Sequence, residues 1–146
     1  MAEYKYTIKS CEGELLKEYK SIYLAFGYNE CPVMQYNLFR IVDEYEEEPQ
    51  TLFTLFFILS KNETVNKFYA HIFEPIPNKA LTDKQIEAGI RTVFKILTKL
   101  FNSNGVELES IITTARGKPF AKNLEFVKIN KEVKIGTRIY TEFFKA

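Results

Sequence analysis

Residues Leu81 to Phe101, LTDKQIEAGIRTVFKILTKLF, constrain the fold more than any other stretch, because they spell a long helix between strand-like segments. Thr82 and Gln85 have capping-box spacing, so each side chain can satisfy an amide that the first turn leaves orphaned. Leu81 and Ile86 stand at the hydrophobic-staple positions around that cap. Asp83 lies where the helix dipole is positive, and Lys95 and Lys99 lie toward its other end. Ile86, Ile90, Val93, Phe94, Leu97, Leu100 and Phe101 recur at three and four and make one apolar face, which Ile96 widens. Asn102-Ser103-Asn104-Gly105 supplies the stop. Gly89 costs about 1 kcal/mol against alanine in a helix interior, so a glycine there implies close packing by another backbone or a ligand.

A long helix between two strands requires those strands to be parallel neighbours. Val65 to Ile76 reads as the strand before the helix, ended by Pro75 and Pro77, and Leu108 to Thr114 as the strand after it. Earlier in the chain, Tyr4 to Lys9 alternates as a first strand. Ser10 then stands as a cap for a helix carrying Leu15, Leu16, Tyr19, Ile22, Tyr23 and Phe26. Tyr36 to Tyr45 and Thr51 to Ser60 read as the second and third strands, the third apolar enough to be buried on both faces. Gly117 to Leu124 reads as a short helix with Pro119 in its first turn. Phe126 to Ile129 and Lys134 to Phe144 read as a hairpin around Asn130-Lys131-Glu132. The expected order is β-α-β-β-β-α-β-α-β-β: a single α/β domain over residues 1–146, with a mixed, mostly antiparallel sheet and a central βαβ unit.

The 13 phenylalanines and 9 tyrosines suit a sheet with thick side-chain layers. Two cysteines, Cys11 and Cys31, are too few for a disulfide scaffold and read as free thiols. The N-terminal residues lack the apolar run of a signal peptide, and the longest apolar run, Leu52 to Leu59, is too short to span a bilayer. A cytoplasmic chain with no membrane partner is the expectation. Charge is unevenly spread: residues 1–50 hold 5 basic and 10 acidic side chains, residues 85–146 hold 11 and 6. The run Asp43 to Glu48 concentrates the acidity. Basic residues of the C-terminal half, among them Arg116, Lys122, Lys128 and Arg138, interleave with Phe120, Phe126 and Tyr140. A sequence pI near 7.7 nevertheless argues against nucleic acid as the partner.

The order of elements resembles that of the GNAT family of N-acetyltransferases over nearly the whole chain. Two local patterns carry the resemblance further. Gln85-Ile86-Glu87-Ala88-Gly89-Ile90 is similar to the family's Q/R-x-x-G-x-G/A stretch, with Ile90 where a small residue stands in the family. Phe120-Ala121-Lys122-Asn123-Leu124-Glu125-Phe126 is similar to its F-Y-x-x-L-G-F segment, with Ala121 in place of the tyrosine and Glu125 in place of the glycine. The resemblance implies acetyl-CoA as cofactor, contacted by Phe73, Gln85, Ala88 and Gly89, and an amine substrate that is a small molecule or a protein. It implies Glu74, near the end of the fourth strand, as the base. Tyr140 is the tyrosine that would replace the missing general acid, since alanine has no proton to donate. Strand alternation puts His71 and Glu74 on opposite faces. The substitutions at Ile90, Ala121 and Glu125 support the alternative, a non-catalytic module of the same fold that binds a protein partner.

Other chemistry is not indicated. One histidine and two distant cysteines do not make a usual zinc set, so no metal is expected. No G-x-S-x-G, P-loop or dinucleotide fingerprint occurs.

Overall fold

Two apolar clusters, one on each face of a sheet, account for most of the architecture. The computed structural model describes residues 3–41 and 50–146. The acidic run and the end of the expected second strand lie outside the described residues. The elements are β1 (Glu3–Ser10), α1 (Gly13–Ala25), β2 (Val33–Ile41), β3 (Gln50–Asn62), β4 (Lys67–Phe73), β5 (Ile76–Pro77), α2 (Asp83–Ser103), β6 (Val106–Thr113), a 3-10 turn (Ala115–Gly117), α3 (Lys118–Asn123), β7 (Phe126–Ile135) and β8 (Arg138–Lys145). The sheet order is β1-β2-β3-β4-β6-β8-β7, with β5 paired to β3. Among the described residues every pairing is antiparallel except β4 with β6, which α2 connects as a parallel crossover.

β3 shows why both faces are filled. Leu55 and Phe57 point into the cluster made with Val93, Phe94, Leu97 and Phe101 of α2 and Phe120 of α3. Phe56 and Ile58 point into the cluster made with Tyr19, Ile22, Tyr23 and Phe26 of α1. A strand with period two can serve two layers only where consecutive residues are apolar, as Leu55 to Leu59 are. The capping box of α2 forms as its spacing requires: the Gln85 amide donates to Thr82 Oγ1 at 3.2 Å, and the Thr82 amide donates to Gln85 Oε1 at 2.8 Å. Leu81 and Ile86 both pack against the α2-side cluster.

Gly89 has a different cause from either one expected. A Cβ there would run into the Phe53 ring, whose Cζ lies 2.7 Å from that position. Its close neighbour is therefore a core side chain from β3.

Four local expectations are corrected. Ser10 does not cap α1: it pairs with Met34 in the β1–β2 ladder, and the residue before α1 is an extended Glu12 without a side-chain bond. The strand before α2 ends at Phe73, because Pro75 has no amide for the ladder; Ile76 and Pro77 form β5 against Thr54 and Phe53. That strand also starts at Lys67, since Val65 and Asn66 lie in the turn and Asn66 takes φ 50. The last hairpin turns at Gly136-Thr137, where Gly136 adopts φ 62, whereas Asn130 to Glu132 continue β7 through register shifts.

Ala70 pairs with Leu108 but His71 pairs with Ser110, so Glu109 is an extra residue in β6. The bulge brings Ser110 opposite His71 on the α1 side.

Candidate functional site

β4 and β6 run parallel, so their C-terminal ends lie side by side, and the chain leaves them in different directions. After β4 it turns back to β3 through β5; after β6 it enters the 3-10 turn and α3. A cleft of about 700 Å³ opens there. α1 contributes Glu18, Tyr19 and Ile22 to its walls, β4 its last residue Phe73, the β4–α2 connection residues 74–77 and Lys79, the turn after β6 Thr114 to Arg116, and the final hairpin Thr137 to Tyr140.

Glu74 is the best-held polar group in the cleft. Its amide donates to the Ile112 carbonyl at 2.9 Å, which continues the β4–β6 pairing one residue past the strand. Its Oε1 accepts from the Thr114 amide at 3.1 Å and from Thr114 Oγ1 at 2.6 Å. Gly117 makes room for the carboxylate, because a Cβ there would overlap Glu74 Oε2 and lie 2.7 Å from its Cδ. A carboxylate held by two donors and still lining a cleft can take up a proton from a bound group.

The opposite wall is aromatic. The Tyr140 ring lies 5.8 Å from Phe73, and Phe73 meets Tyr19 edge-on at 5.2 Å. Burial pushes the Tyr19 phenol well above its usual range, so it stays protonated at neutral pH. Lys79, Arg116 and Arg138 add positive charge, and among the described residues none of them pairs with a carboxylate.

Of the residues singled out in the sequence, Phe73, Glu74 and Tyr140 come together in this cleft. Gln85, Ala88 and Gly89 do not line it; they belong to the body of α2. Gln85 is occupied with the cap, Ala88 is exposed, and Gly89 faces Phe53. The connection before α2 also uses its own amides. Asn78 donates its amide to Leu52 O and its Nδ2 to Thr51 O, while Asn78 Oδ1 accepts from the Ala80 amide and Asn78 O from the Leu81 amide. Of the small residues in the Gln85 to Ile90 stretch, Gly89 is thus accounted for by packing against Phe53. Thr114, Gly117 and Lys79 carried no sequence motif; Thr114 was visible only as the last residue of a predicted strand, and Arg138 only as one of the basic residues interleaved with aromatics.

Ala121 is fully buried in the α2-side cluster. Glu125 follows α3 with φ 66, the left-handed conformation that a glycine would adopt without strain.

His71 lies on the α1 side, away from Glu74. It is 3% exposed, and burial lowers its pKa to about 4. Cys11 is also buried, which pushes its thiol up.

The chain is similar to a solved acyl-CoA N-acyltransferase from Pseudomonas aeruginosa, with a TM-score of 0.50 and 12% identity over 99% of this chain and 100% of that one. The fold is that of the acyl-CoA N-acyltransferases. No protein-family model and no curated protein matches the chain. Within this fold, the cleft sits at the C-terminal ends of the parallel pair β4 and β6. Among the described residues no helix is long and apolar enough to cross a membrane, and no group of three His, Cys, Asp or Glu side chains is placed to hold a metal.

Proposed function

We propose that this chain is an N-acyltransferase that takes its acyl group from acyl-CoA and passes it to an amine in the cleft at the ends of β4 and β6. The observation that carries the reading is the Glu74 carboxylate, held by Thr114 at the head of that cleft. Attack by the amine forms a C–N bond and breaks the C–S bond of the thioester. Glu74 accepts the proton that the amine must lose, and the departing thiolate takes a proton in turn. Phe73 and the aromatic wall exclude water from the acyl group, and the cleft aligns the two reactants.

The anionic end of acyl-CoA calls for donors. The connection before α2 offers few, because the amides of residues 78, 80, 81, 82 and 85 already have acceptors within the chain. Lys79 and Arg116 are the groups that can hold it, and Gln85, Ala88 and Gly89 are not needed for that role. Tyr140 remains the proposed proton source for the thiolate.

The self-satisfied connection, together with buried Ala121, favours a second reading, a protein-binding module of the same fold that turns nothing over. Calorimetry and thermal shift with acetyl-CoA separate the two. Binding raises stability by mass action, so millimolar acetyl-CoA should raise the melting temperature; an unchanged value rejects the enzyme reading. Glu74→Gln should keep acetyl-CoA binding while acetylation of an amine panel falls by about 10² to 10⁴. Full activity in that variant removes Glu74 from the mechanism.

A further inference from the structure

The other end of the sheet carries a second polar constellation, on the α1 side and away from the cleft just described. Its centre is His71. Ser60 Oγ lies 2.7 Å from His71 Nε2, and on the far side of the ring Nδ1 lies 2.6 Å from Ser110 Oγ and 3.0 Å from Tyr28 OH. Both of these hydroxyls donate to Glu142 Oε2, at 3.0 Å and 2.7 Å. Asn130 Nδ2 donates to Glu142 Oε1 at 2.7 Å.

The protons of this network can be assigned by elimination. A hydroxyl has one hydrogen. With Glu142 ionised, Ser110 and Tyr28 spend theirs on it, so toward His71 they can only accept. His71 therefore carries its hydrogen on Nδ1, and Nε2 presents a lone pair. Ser60 is left as the donor to that lone pair. The order is hydroxyl, imidazole, bridging hydroxyls, carboxylate: a nucleophile, a base, and groups that fix the base's tautomer and balance the charge it gains.

Packing alone does not call for this arrangement. A buried imidazole needs one partner at each nitrogen. Glu142 is 1% exposed, and among the described residues its hydrogen-bond partners are neutral donors and no ion pair includes it. Burying a carboxylate without a cation is expensive, and a carboxylate placed behind a neutral imidazole has its use when that imidazole becomes positive. Ser60, by contrast, is partly exposed and lines a cleft of about 580 Å³ with Tyr69 and His71. The rim carries Glu63, Glu107 and Glu109 against one cation, Lys61, so it disfavours anionic ligands.

We propose that Ser60 is a reactive nucleophile, a covalent acylation site that accepts an acyl group from a neutral, activated ester entering the cleft between the C-terminal end of β3 and the N-terminal ends of β4 and β6. Ser60 Oγ attacks the ester carbonyl as its proton passes to His71 Nε2. The new bond is Oγ–C; the bond that breaks is the ester's C–O bond to its alcohol. The alcohol leaves with the proton that His71 held, and the product is acyl-Ser60. Glu142, Ser110 and Tyr28 act as positioning residues through His71. The inference is independent of acyl-CoA binding and of Glu74.

The test uses the whole chain and p-nitrophenyl acetate at neutral pH, read by peptide mass spectrometry. Ser21 and Ser103 are internal comparators: both are exposed, and their hydroxyls donate to helix carbonyls, Lys17 O and Lys99 O, at 2.8 Å. Ser60 should acquire acetyl at least about 100-fold faster than either, the scale of general-base assistance. Equal or slower labelling of Ser60 in the unmodified sequence overturns the proposal without any variant having to fold. In His71→Gln, checked for an intact melting transition, Ser60 labelling should fall to the comparator rate. A rate that stays high in that variant overturns the assignment of His71 as base.

Discussion

Gly89→Ala tests whether the glycine of α2 exists for packing or for a ligand. In a helix interior alanine is better than glycine by about 1 kcal/mol. Against that, the added methyl meets the Phe53 ring, with Cζ at 2.7 Å, and Phe53 is 1% exposed in the core. Forcing a methyl into a filled core costs about 1 to 3 kcal/mol. The net expectation is a loss of about 0 to 2 kcal/mol, equivalent to a melting temperature lower by up to about 6 °C for a chain of this size. Phe53→Leu removes the outer ring atoms, so in that background Gly89→Ala should instead stabilise by about 1 kcal/mol. The coupling between the two sites is then about 1 to 3 kcal/mol, measured by urea unfolding of the four proteins with a common m-value. The reasoning fails if Gly89→Ala stabilises the original chain by the full helix term and the coupling is within about 0.5 kcal/mol. A variant that is stabilised but binds acetyl-CoA less tightly would return Gly89 to the ligand.

Glu125 holds φ 66 after α3, a conformation that costs a side chain about 1 to 2 kcal/mol. Glu125→Gly should therefore raise stability by about 1 kcal/mol and the melting temperature by about 3 °C; a lower melting temperature would show that the glutamate side chain contributes more than the strain. His71 supplies a pH dependence. Folding lowers its pKa from 6.5 to about 4, so between those values the unfolded chain binds the extra proton. Stability from this group is complete above about pH 6.5 and is lost as pH falls toward 4, by about 3 kcal/mol in all. Denaturant midpoints at pH 7.5 and 4.5 should show that loss in the original chain and a smaller one in His71→Gln; equal losses would remove His71 as the cause.

α2 was legible in the sequence because its signals are local. The cap needs only Thr82 and Gln85, and the apolar stripe needs only its own period. The parallel pairing of β4 and β6 followed from the crossover length. β7 was harder, since its two register shifts break the alternation that marks a strand, and the Asn130 to Glu132 segment then looks like a turn. Glu74 was visible as a strand-end carboxylate, but Thr114, which holds it, is 40 residues away. The same distance hid the His71 network: its partners come from residues 28, 60 and 110, and the carboxylate behind them from residue 142. Pattern and spacing report what a segment can do alone; convergence of distant side chains is a product of the sheet.

The two rims of that sheet differ in a way that bears on how copies of this chain meet at high concentration. β7 is broken by two register shifts, and such irregular rims do not template another strand well. β1 pairs with β2 through eight consecutive residues without a shift, and Tyr4, Tyr6 and Ile8 stand exposed along it. Lys5 and Lys9, exposed on the other face of the same strand, are the charges that act against strand addition there. Sheet growth between copies is therefore expected through β1 before β7, and removing the charges of Lys5 and Lys9 should favour it.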